Sequence, residues 1–150
     1  PWLLVASVYE EKAIERTLYL PAGAHWYNFW TGDIYPGGTT MTVPAPLETY
    51  PLFIREGALL PILKDDGLQI NVYPFISDGT SDFSLYDDDG ETNDFCDPTK
   101  KSFDLEKLTL SCKSSQIDLG TTLIHGEAKK VRWHFPINEK RPYHVNSALS

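Results

Sequence analysis

Three consecutive aspartates precede a glycine in the stretch FSLYDDDGETND, which covers residues 83–94. Carboxylates at this density can coordinate a metal ion, act as a general acid and base, or accept hydrogen bonds from the NH groups of a turn. Each of these functions requires a different arrangement of the carboxylates, so their spacing distinguishes the three.

The spacing differs from that of an EF-hand calcium loop. In that loop glycine is the sixth residue, and a bidentate glutamate is the twelfth. With Gly90 as the sixth residue, Leu85 would be the first ligand and Cys96 the last, and neither has a carboxylate. We therefore expect no metal site, although a looser calcium site stays open as an alternative; its ligands would be Asp87, Asp89 and Glu91 or Asn93.

A catalytic carboxylate pair fits the run less well. Retaining glycosidases hold two carboxylates roughly 5 Å apart across the bond that is cut, and inverting glycosidases hold them farther apart. Neighbours in one run cannot flank a sugar in this way. The sequence favours a hairpin, in which a strand over residues 82–86 is followed by a turn whose NH groups bind aspartate side chains.

No other motif predicts an active site. The sequence has no H-E-x-x-H, G-x-S-x-G, P-loop or G-x-G-x-x-G pattern, and its four histidines are dispersed: His25, His125, His134 and His144. We predict no catalytic residue and no cofactor in this chain.

The aromatic run HWYNFW, residues 25–30, is the remaining functional candidate. Trp26, Tyr27 and Trp30 could form a platform on which sugar rings stack. The competing interpretation, which we favour, is that alternate rings fill a hydrophobic core, because large aromatic side chains are mostly buried.

The elements that position these residues are predicted to be strands. Apolar residues alternate with polar ones at residues 68–73, 83–86, 103–112 and 131–135, and each segment is bounded by turn residues. Prolines at 44, 46 and 51 predict an irregular connection there, and a phase shift at Glu106 and Lys107 predicts a bulge or two strands. The fold class is all-β, an antiparallel β-sandwich.

Charge and hydropathy narrow the range of partners. The net charge of −8 is distributed as −3 over residues 1–63, −9 over 64–106 and +4 over 107–150. The basic end alternates with Val131, Trp133 and Phe135, which indicates the solvated face of a strand rather than a nucleic-acid site. No apolar run reaches the roughly 20 residues of a membrane helix. We expect a soluble protein, cytoplasmic or secreted, without a nucleic-acid or membrane partner.

The cysteines and the first residue of the chain allow two further predictions. Cys96 and Cys112 are too far apart for a C-x-x-C metal pair, and we interpret them as free thiols, with one disulfide as the alternative. The chain begins with Pro1 and contains a single methionine, Met41, so we expect it to be processed or to be a piece of a longer polypeptide.

Several segments together resemble the C-terminal β-region of glycoside hydrolase family 31, the family of α-glucosidases and α-xylosidases. They are LLVASV (3–8), YLPAGAHWYNFWTGDIYPGG (19–38), VPAPLETYPLFIREGALLPIL (43–63) and LYDDDG (85–90). The family's W-Y-D-F-W-T-G hairpin has Asn28 in place of its usual aspartate, and Ser7 stands where proline is usual.

The resemblance implies two β-domains: a proximal C-terminal β-sandwich over residues 1–95, and a smaller or partial distal β-domain over residues 96–150. In the family, an upstream (β/α)8 barrel carries the aspartate nucleophile and the aspartate acid/base. The resemblance therefore makes this chain an accessory module that packs on the barrel of its parent polypeptide and is inactive alone, while the parent hydrolyses O-glycosyl bonds with retention.

Two alternatives stay open. One is a stand-alone carbohydrate-binding module whose partner would be an α-glucan or an oligosaccharide, bound by Trp26, Tyr27 and Trp30. The other is a calcium-stabilised interaction domain built around residues 87–94.

Overall fold

Strands make up almost all of the regular structure. The computed structural model describes residues 1–97, 99–100, 102–137 and 139–148, without the side chains of residues 95, 147 and 148. In these ranges the one helical segment is a 3-10 turn, Asp94–Cys96. The thirteen strands are β1 Leu3–Val5, β2 Glu15–Leu20, β3 His25–Asn28, β4 Ile34–Pro36, β5 Thr39–Pro44, β6 Leu52–Arg55, β7 Ala58–Lys64, β8 Gly67–Tyr73, β9 Gly79–Asp88, β10 Phe103–Cys112, β11 Ile117–His125, β12 Val131–His134 and β13 Tyr143–Ala148.

The chain forms two compact units, residues 1–58 (unit 1) and residues 59–150 (unit 2). The boundary between residues 95 and 96, predicted from the resemblance, stays a prediction. In this structure β9 and β10 pair along their whole length on either side of that position, from Gly79 opposite Cys112 to Asp88 opposite Phe103.

Unit 1 contains two sheets around one core. The first has the strand order β1-β6-β3-β4, and the second pairs β2 with β5; every pairing is antiparallel. Between them lies a cluster of buried side chains: Leu18, Leu20, Trp26, Val43 and Phe53. The connection between β5 and β6, residues 45–51, contains no strand, which confirms the irregular segment predicted from its prolines.

Unit 2 also packs two sheets on one core. Their strand orders are β13-β11-β10-β9 and β12-β8-β7. The core draws apolar side chains from both sheets, among them Leu59, Ile70, Val72, Leu108, Leu110, Ile117 and Leu119. The register between β10 and β11 shifts between Leu105 and Glu106, at the position where the sequence predicted a bulge.

The all-β prediction is confirmed, and the sheets add one feature to it. β11 pairs with β13 in parallel, and β12 pairs with β8 in parallel. Unit 2 is therefore a mixed sandwich rather than a purely antiparallel one, because its last two strands each add to an existing sheet from a distant part of the chain.

Candidate functional site

The aspartate run forms the end of β9 and the turn that follows it. The Asp88 carboxylate accepts hydrogen bonds from the Gly90 NH (2.9 Å) and from the Tyr86 hydroxyl (2.8 Å). The Asp89 carboxylate accepts the NH groups of Glu91 (3.1 Å) and Thr92 (3.0 Å), and also the Thr92 hydroxyl (2.7 Å). These bonds to Thr92 and Glu91 lower the pKa of Asp89. The turn interpretation of this run is confirmed.

The side chain of Asp87 forms an ion pair with a distant lysine. The Lys129 ammonium lies 2.8 Å from the Asp87 carboxylate and 2.8 Å from the Asp104 carboxylate, so one cation joins two acids of neighbouring strands. Asp104 also accepts the NH of Glu127 (2.8 Å). The hydrogen bond from Lys129 is the main reason that the pKa of Asp104 lies below its ordinary value, and the two carboxylates raise the pKa of Lys129.

These contacts leave the three aspartates in structural roles. Asp87 holds Lys129, and Asp88 and Asp89 hold the turn. Across residues 1–97, 99–100, 102–137 and 139–148, no group of three or more His, Cys, Asp or Glu side chains has a geometry that could hold a metal ion.

A stack of rings adjoins the turn on the solvent face of β9 and β10. Tyr86 stacks on Phe103 with ring centroids 5.5 Å apart, and Phe103 stacks on His125 at 4.3 Å. The His125 Nδ1 lies 2.9 Å from the carbonyl oxygen of Phe103. The pKa of Tyr86 is raised to about 12, first because its hydroxyl is desolvated and second because that hydroxyl donates a hydrogen bond to Asp88. Tyr86 therefore stays protonated and keeps its bond to Asp88 at neutral pH.

The three predicted carbohydrate contacts do not lie together on the surface. Trp26 and Tyr27 are buried in β3, and the Trp26 indole NH donates to the carbonyl of Pro21 (3.0 Å). Trp30 is 45% exposed; its indole NH donates to the Tyr50 carbonyl (2.8 Å) and its ring meets the Tyr50 ring edge to face. Contact with sugar stays a prediction, and of the three rings only Trp30 has a face that a sugar could reach.

Unit 1 has an apolar groove of about 610 Å³ that the sequence did not reveal. It is lined by the ends of β1 and β5 and by the connections that follow them. Four large apolar side chains around it are exposed: Val5, Ile14, Leu47 and Tyr50. Leu47 is 98% exposed. The only sequence signal was an isolated leucine within a proline-rich connection, where no alternation shows which way a side chain points.

Neither cysteine forms a disulfide in the structure. Cys96 is exposed and Cys112 is buried in the core of unit 2. The disulfide that we held as an alternative is absent. Within the described residues no helix is long and apolar enough to cross a membrane.

Comparison with known proteins identifies the first part of the chain. The glycosyl hydrolase family 31 C-terminal domain matches residues 1–60. An α-xylosidase of Saccharolobus solfataricus is 34% identical over 139 residues, which are 83% of this chain and 19% of that enzyme. The α-glucosidase 2 of Bacillus thermoamyloliquefaciens is 31% identical over 98 residues, which are 60% of this chain and 12% of that enzyme.

Solved structures show the same relationship. A GH31 dextranase of Flavobacterium johnsoniae, complexed with glucose, superposes with a TM-score of 0.73 at 27% identity, over 89% of this chain and 18% of that one. The GH31 α-xylosidase of Xanthomonas citri gives a TM-score of 0.63 at 29% identity, over 98% and 16%. This chain thus spans less than a fifth of these relatives, which are multidomain enzymes. It carries the C-terminal domain of glycosyl hydrolase family 31 and is homologous to the α-xylosidases and α-glucosidases of that family.

Proposed function

We propose that this chain is the accessory C-terminal β-region of a retaining α-glucosidase-type glycoside hydrolase, and that it packs on and stabilises the (β/α)8 catalytic barrel of its parent polypeptide. The observation that carries the proposal is the apolar groove of unit 1. The groove lies within the segment that matches the family domain, residues 1–60.

The groove has the composition of an interface. Ile14 and Leu47 have more than three quarters of their surface exposed, and Ala45 and Pro46 continue the apolar lining between them. Full burial of one such aliphatic side chain contributes about 1.5–3 kcal/mol. A domain that covers this surface therefore gains stability, whereas an exposed apolar patch of this kind favours self-association.

The surface extends from the groove to the aromatic run. Tyr50 lines the groove, and Trp30 is fixed against Tyr50 by the indole hydrogen bond and the edge-to-face ring contact. Trp30 is thereby part of one continuous apolar surface with Tyr50, which favours a protein partner over a sugar at this position.

Substitutions in the full-length parent polypeptide test the proposal. Leu47→Asp places a charge in the proposed interface, and we expect it to lower the melting temperature of the parent by several degrees, because 1 kcal/mol corresponds to about 2–4 °C for a domain of 150–250 residues. Ile14→Asp should have a similar effect. The matched control is Leu63→Asp, since Leu63 is 82% exposed at the end of β7 and lies outside the groove.

The same two substitutions should not destabilise this chain when it is alone. Leu47→Asp and Ile14→Asp should leave its melting temperature unchanged or reduce its self-association, because their side chains are exposed here. The proposal fails if Leu47→Asp and Leu63→Asp change the melting temperature of the parent equally.

The second candidate function is the stand-alone carbohydrate-binding module. Its support is the exposed ring of Trp30. If the chain is such a module, an α-glucan should quench its tryptophan fluorescence, and Trp30→Ala should abolish the quenching. Quenching that persists in Trp30→Ala would exclude this ring as the binding site.

A further inference from the structure

The solvent face of β9 and β10 in unit 2 differs in chemistry from the groove of unit 1. Alternate side chains of these strands, such as Leu85 and Leu108, enter the core. The residues between them point to the opposite face, since successive side chains of a strand alternate. This face carries hydroxyl, charged and aromatic groups: Thr80, Asp82, Ser84, Tyr86, Lys107 and Thr109.

Tyr86 provides a ring surface at the free edge of this sheet. β9 is the last strand of the order β13-β11-β10-β9. Tyr86 stacks on Phe103, which in turn stacks on His125, so Tyr86 forms one end of this row of three rings. Tyr86 is 48% exposed, and its hydroxyl is fixed by Asp88. A fixed, half-exposed aromatic ring is the kind of surface on which a sugar ring stacks.

Polar groups continue from Tyr86 along the same face. The Lys107 ammonium lies 3.6 Å from the Asp82 carboxylate, so the two charges offset each other. A depression of about 260 Å³ lies beside them and is lined by Thr80, Thr109 and Ser111. From Tyr86 to Thr80 the strand extends about 20 Å, which is room for several linked sugar rings.

The hydroxyl of Thr109, in this depression, lies close to the backbone of Gly120 on the neighbouring strand. Gly120 of β11 lies opposite Thr109, and a Cβ at Gly120 would come within 2.5 Å of the Thr109 Oγ1. The glycine therefore leaves the space that this hydroxyl occupies.

We propose that the solvent face of β9 and β10 binds an uncharged oligosaccharide, with Tyr86 as the stacking ring and Asp82, Lys107 and Thr109 as hydrogen-bonding groups. Mutually neutralised charges and hydroxyl groups match a neutral polyhydroxyl ligand, whereas a packed protein domain would require apolar area that the stretch of Thr80, Asp82, Ser84, Lys107 and Thr109 lacks. The choice of α-linked glucose oligomers as the ligand rests on the proposed function.

Titration calorimetry of this chain with maltoheptaose and with isomaltotriose tests the site. We expect at least one of them to bind, and Tyr86→Ala to weaken the binding by about tenfold or more through loss of the stacking contact. Tyr86→Phe keeps the ring and should stay within about threefold of the wild type. Lys107→Ala should also weaken binding, and its exposed side chain makes misfolding of this variant a minor concern.

Two controls separate this face from the surfaces of unit 1. Tyr19→Ala removes an exposed tyrosine of β2, and Trp30→Ala removes the exposed indole; both should leave the affinity unchanged. The proposal is overturned if neither sugar binds at millimolar concentration, if folded Tyr86→Ala binds as the wild type does, or if Trp30→Ala abolishes binding.

The outcome also separates this site from the accessory role. A Tyr86→Ala substitution that lowers the melting temperature of the parent without changing sugar affinity would make the face a domain interface and refute sugar binding. Failure of sugar binding alone leaves the Leu47→Asp test of the parent unaffected, because that test measures stability and involves no sugar.

Discussion

At the scale of single residues, the acidic run illustrates how far spacing determines function. The arrangement of Asp87, Asp88 and Asp89 argued against a calcium loop and against a catalytic pair, and the sequence favoured bonds to the NH groups of a turn. The structure confirms those bonds for Asp88 and Asp89. The partner of Asp87 could not be predicted, because Lys129 lies more than forty residues away along the chain and no local pattern relates the two.

The ion-pair network of Lys129 predicts a measurable contribution to stability. Exposed ion pairs contribute about 0.2–1 kcal/mol each, and Lys129 is shared between Asp87 and Asp104 at 2.8 Å. Lys129→Gln should therefore lower the free energy of unfolding by about 1 kcal/mol in urea titrations at pH 7. Lys12→Gln is the control, since Lys12 pairs with Glu11 at 3.6 Å while both side chains are almost fully exposed. Equal losses in the two variants would contradict the network.

The same network predicts a pH dependence. The pKa of Asp104 is lowered from 3.8, so its contribution to stability is present above the unfolded value and is lost as the pH falls through the folded pKa. The pKa of Lys129 is raised from 10.5, so its contribution is complete below that value and is lost only at higher pH. Asp104→Asn should reduce the acid sensitivity of unfolding as the pH falls below 3.8, the value from which the pKa of Asp104 is lowered. A variant as acid-sensitive as the wild type would refute this assignment.

At the scale of elements, alternation predicted which segments are strands but not which strands pair. β8, β9, β10 and β12 lie where alternating residues placed them. The parallel pairings of β12 with β8 and of β13 with β11 were not predictable, because alternation defines the faces of a strand and carries no information about a partner distant in sequence. Trp26 and Tyr27 are adjacent and both buried, so alternation also could not show that β3 is covered on both faces.

Turn residues between elements give a further prediction. Gly126 follows β11 with φ at +79°, and a Cβ there would lie within 2.7 Å of the Phe103 carbonyl oxygen and closer still to the Asp104 carboxylate. Gly90 has φ at +66° but no heavy atom within 4 Å of its would-be Cβ. Gly90→Ala should cost about 1–2 kcal/mol from the left-handed backbone alone, and Gly126→Ala clearly more. Thermal unfolding of the two variants compares them directly, and equal costs would show that the clash at Gly126 is relieved.

The turn after β9 gives a prediction on metal removal. The Asp89 carboxylate accepts hydrogen bonds from the NH groups of Glu91 and Thr92 and from the Thr92 hydroxyl. EDTA should therefore leave the melting temperature unchanged, whereas Asp89→Ala should lower it, because the hydrogen bonds to the backbone NH groups of the turn are lost. A chelator-dependent melt that added calcium reverses would instead support the calcium-stabilised interaction domain.

At the scale of the whole molecule, the resemblance and the structure agree on family but differ in what they reveal. The motifs of residues 3–63 predicted the family, and the family domain matches residues 1–60. They did not predict the two surfaces that distinguish the units, an apolar groove in unit 1 and a polar face with a ring stack in unit 2. Exposure of Leu47 and of Tyr86 depends on tertiary packing, which the order of motifs does not specify.

The mass of the native polypeptide is the first whole-molecule prediction. An immunoblot of source cells, with an antibody against this chain, should show a band several-fold larger than 17 kDa, because the chain spans less than a fifth of its multidomain relatives. A single band near 17 kDa would contradict the accessory role.

The second whole-molecule prediction concerns enzymatic activity. We expect this chain alone not to hydrolyse p-nitrophenyl α-glucoside, because each aspartate of the acidic run is held by structural contacts: Asp87 by Lys129, Asp88 by Tyr86 and Gly90, and Asp89 by Thr92. A pair of carboxylates that flanks a glycosidic bond must stay available to the sugar on opposite sides of it, and neighbours in one strand end and turn cannot do so. The parent polypeptide, assayed at equal molar concentration, should hydrolyse an α-glycoside. Turnover that co-purifies with this chain and is lost in Asp87→Asn or Asp88→Asn would place a catalytic carboxylate here and refute the accessory role.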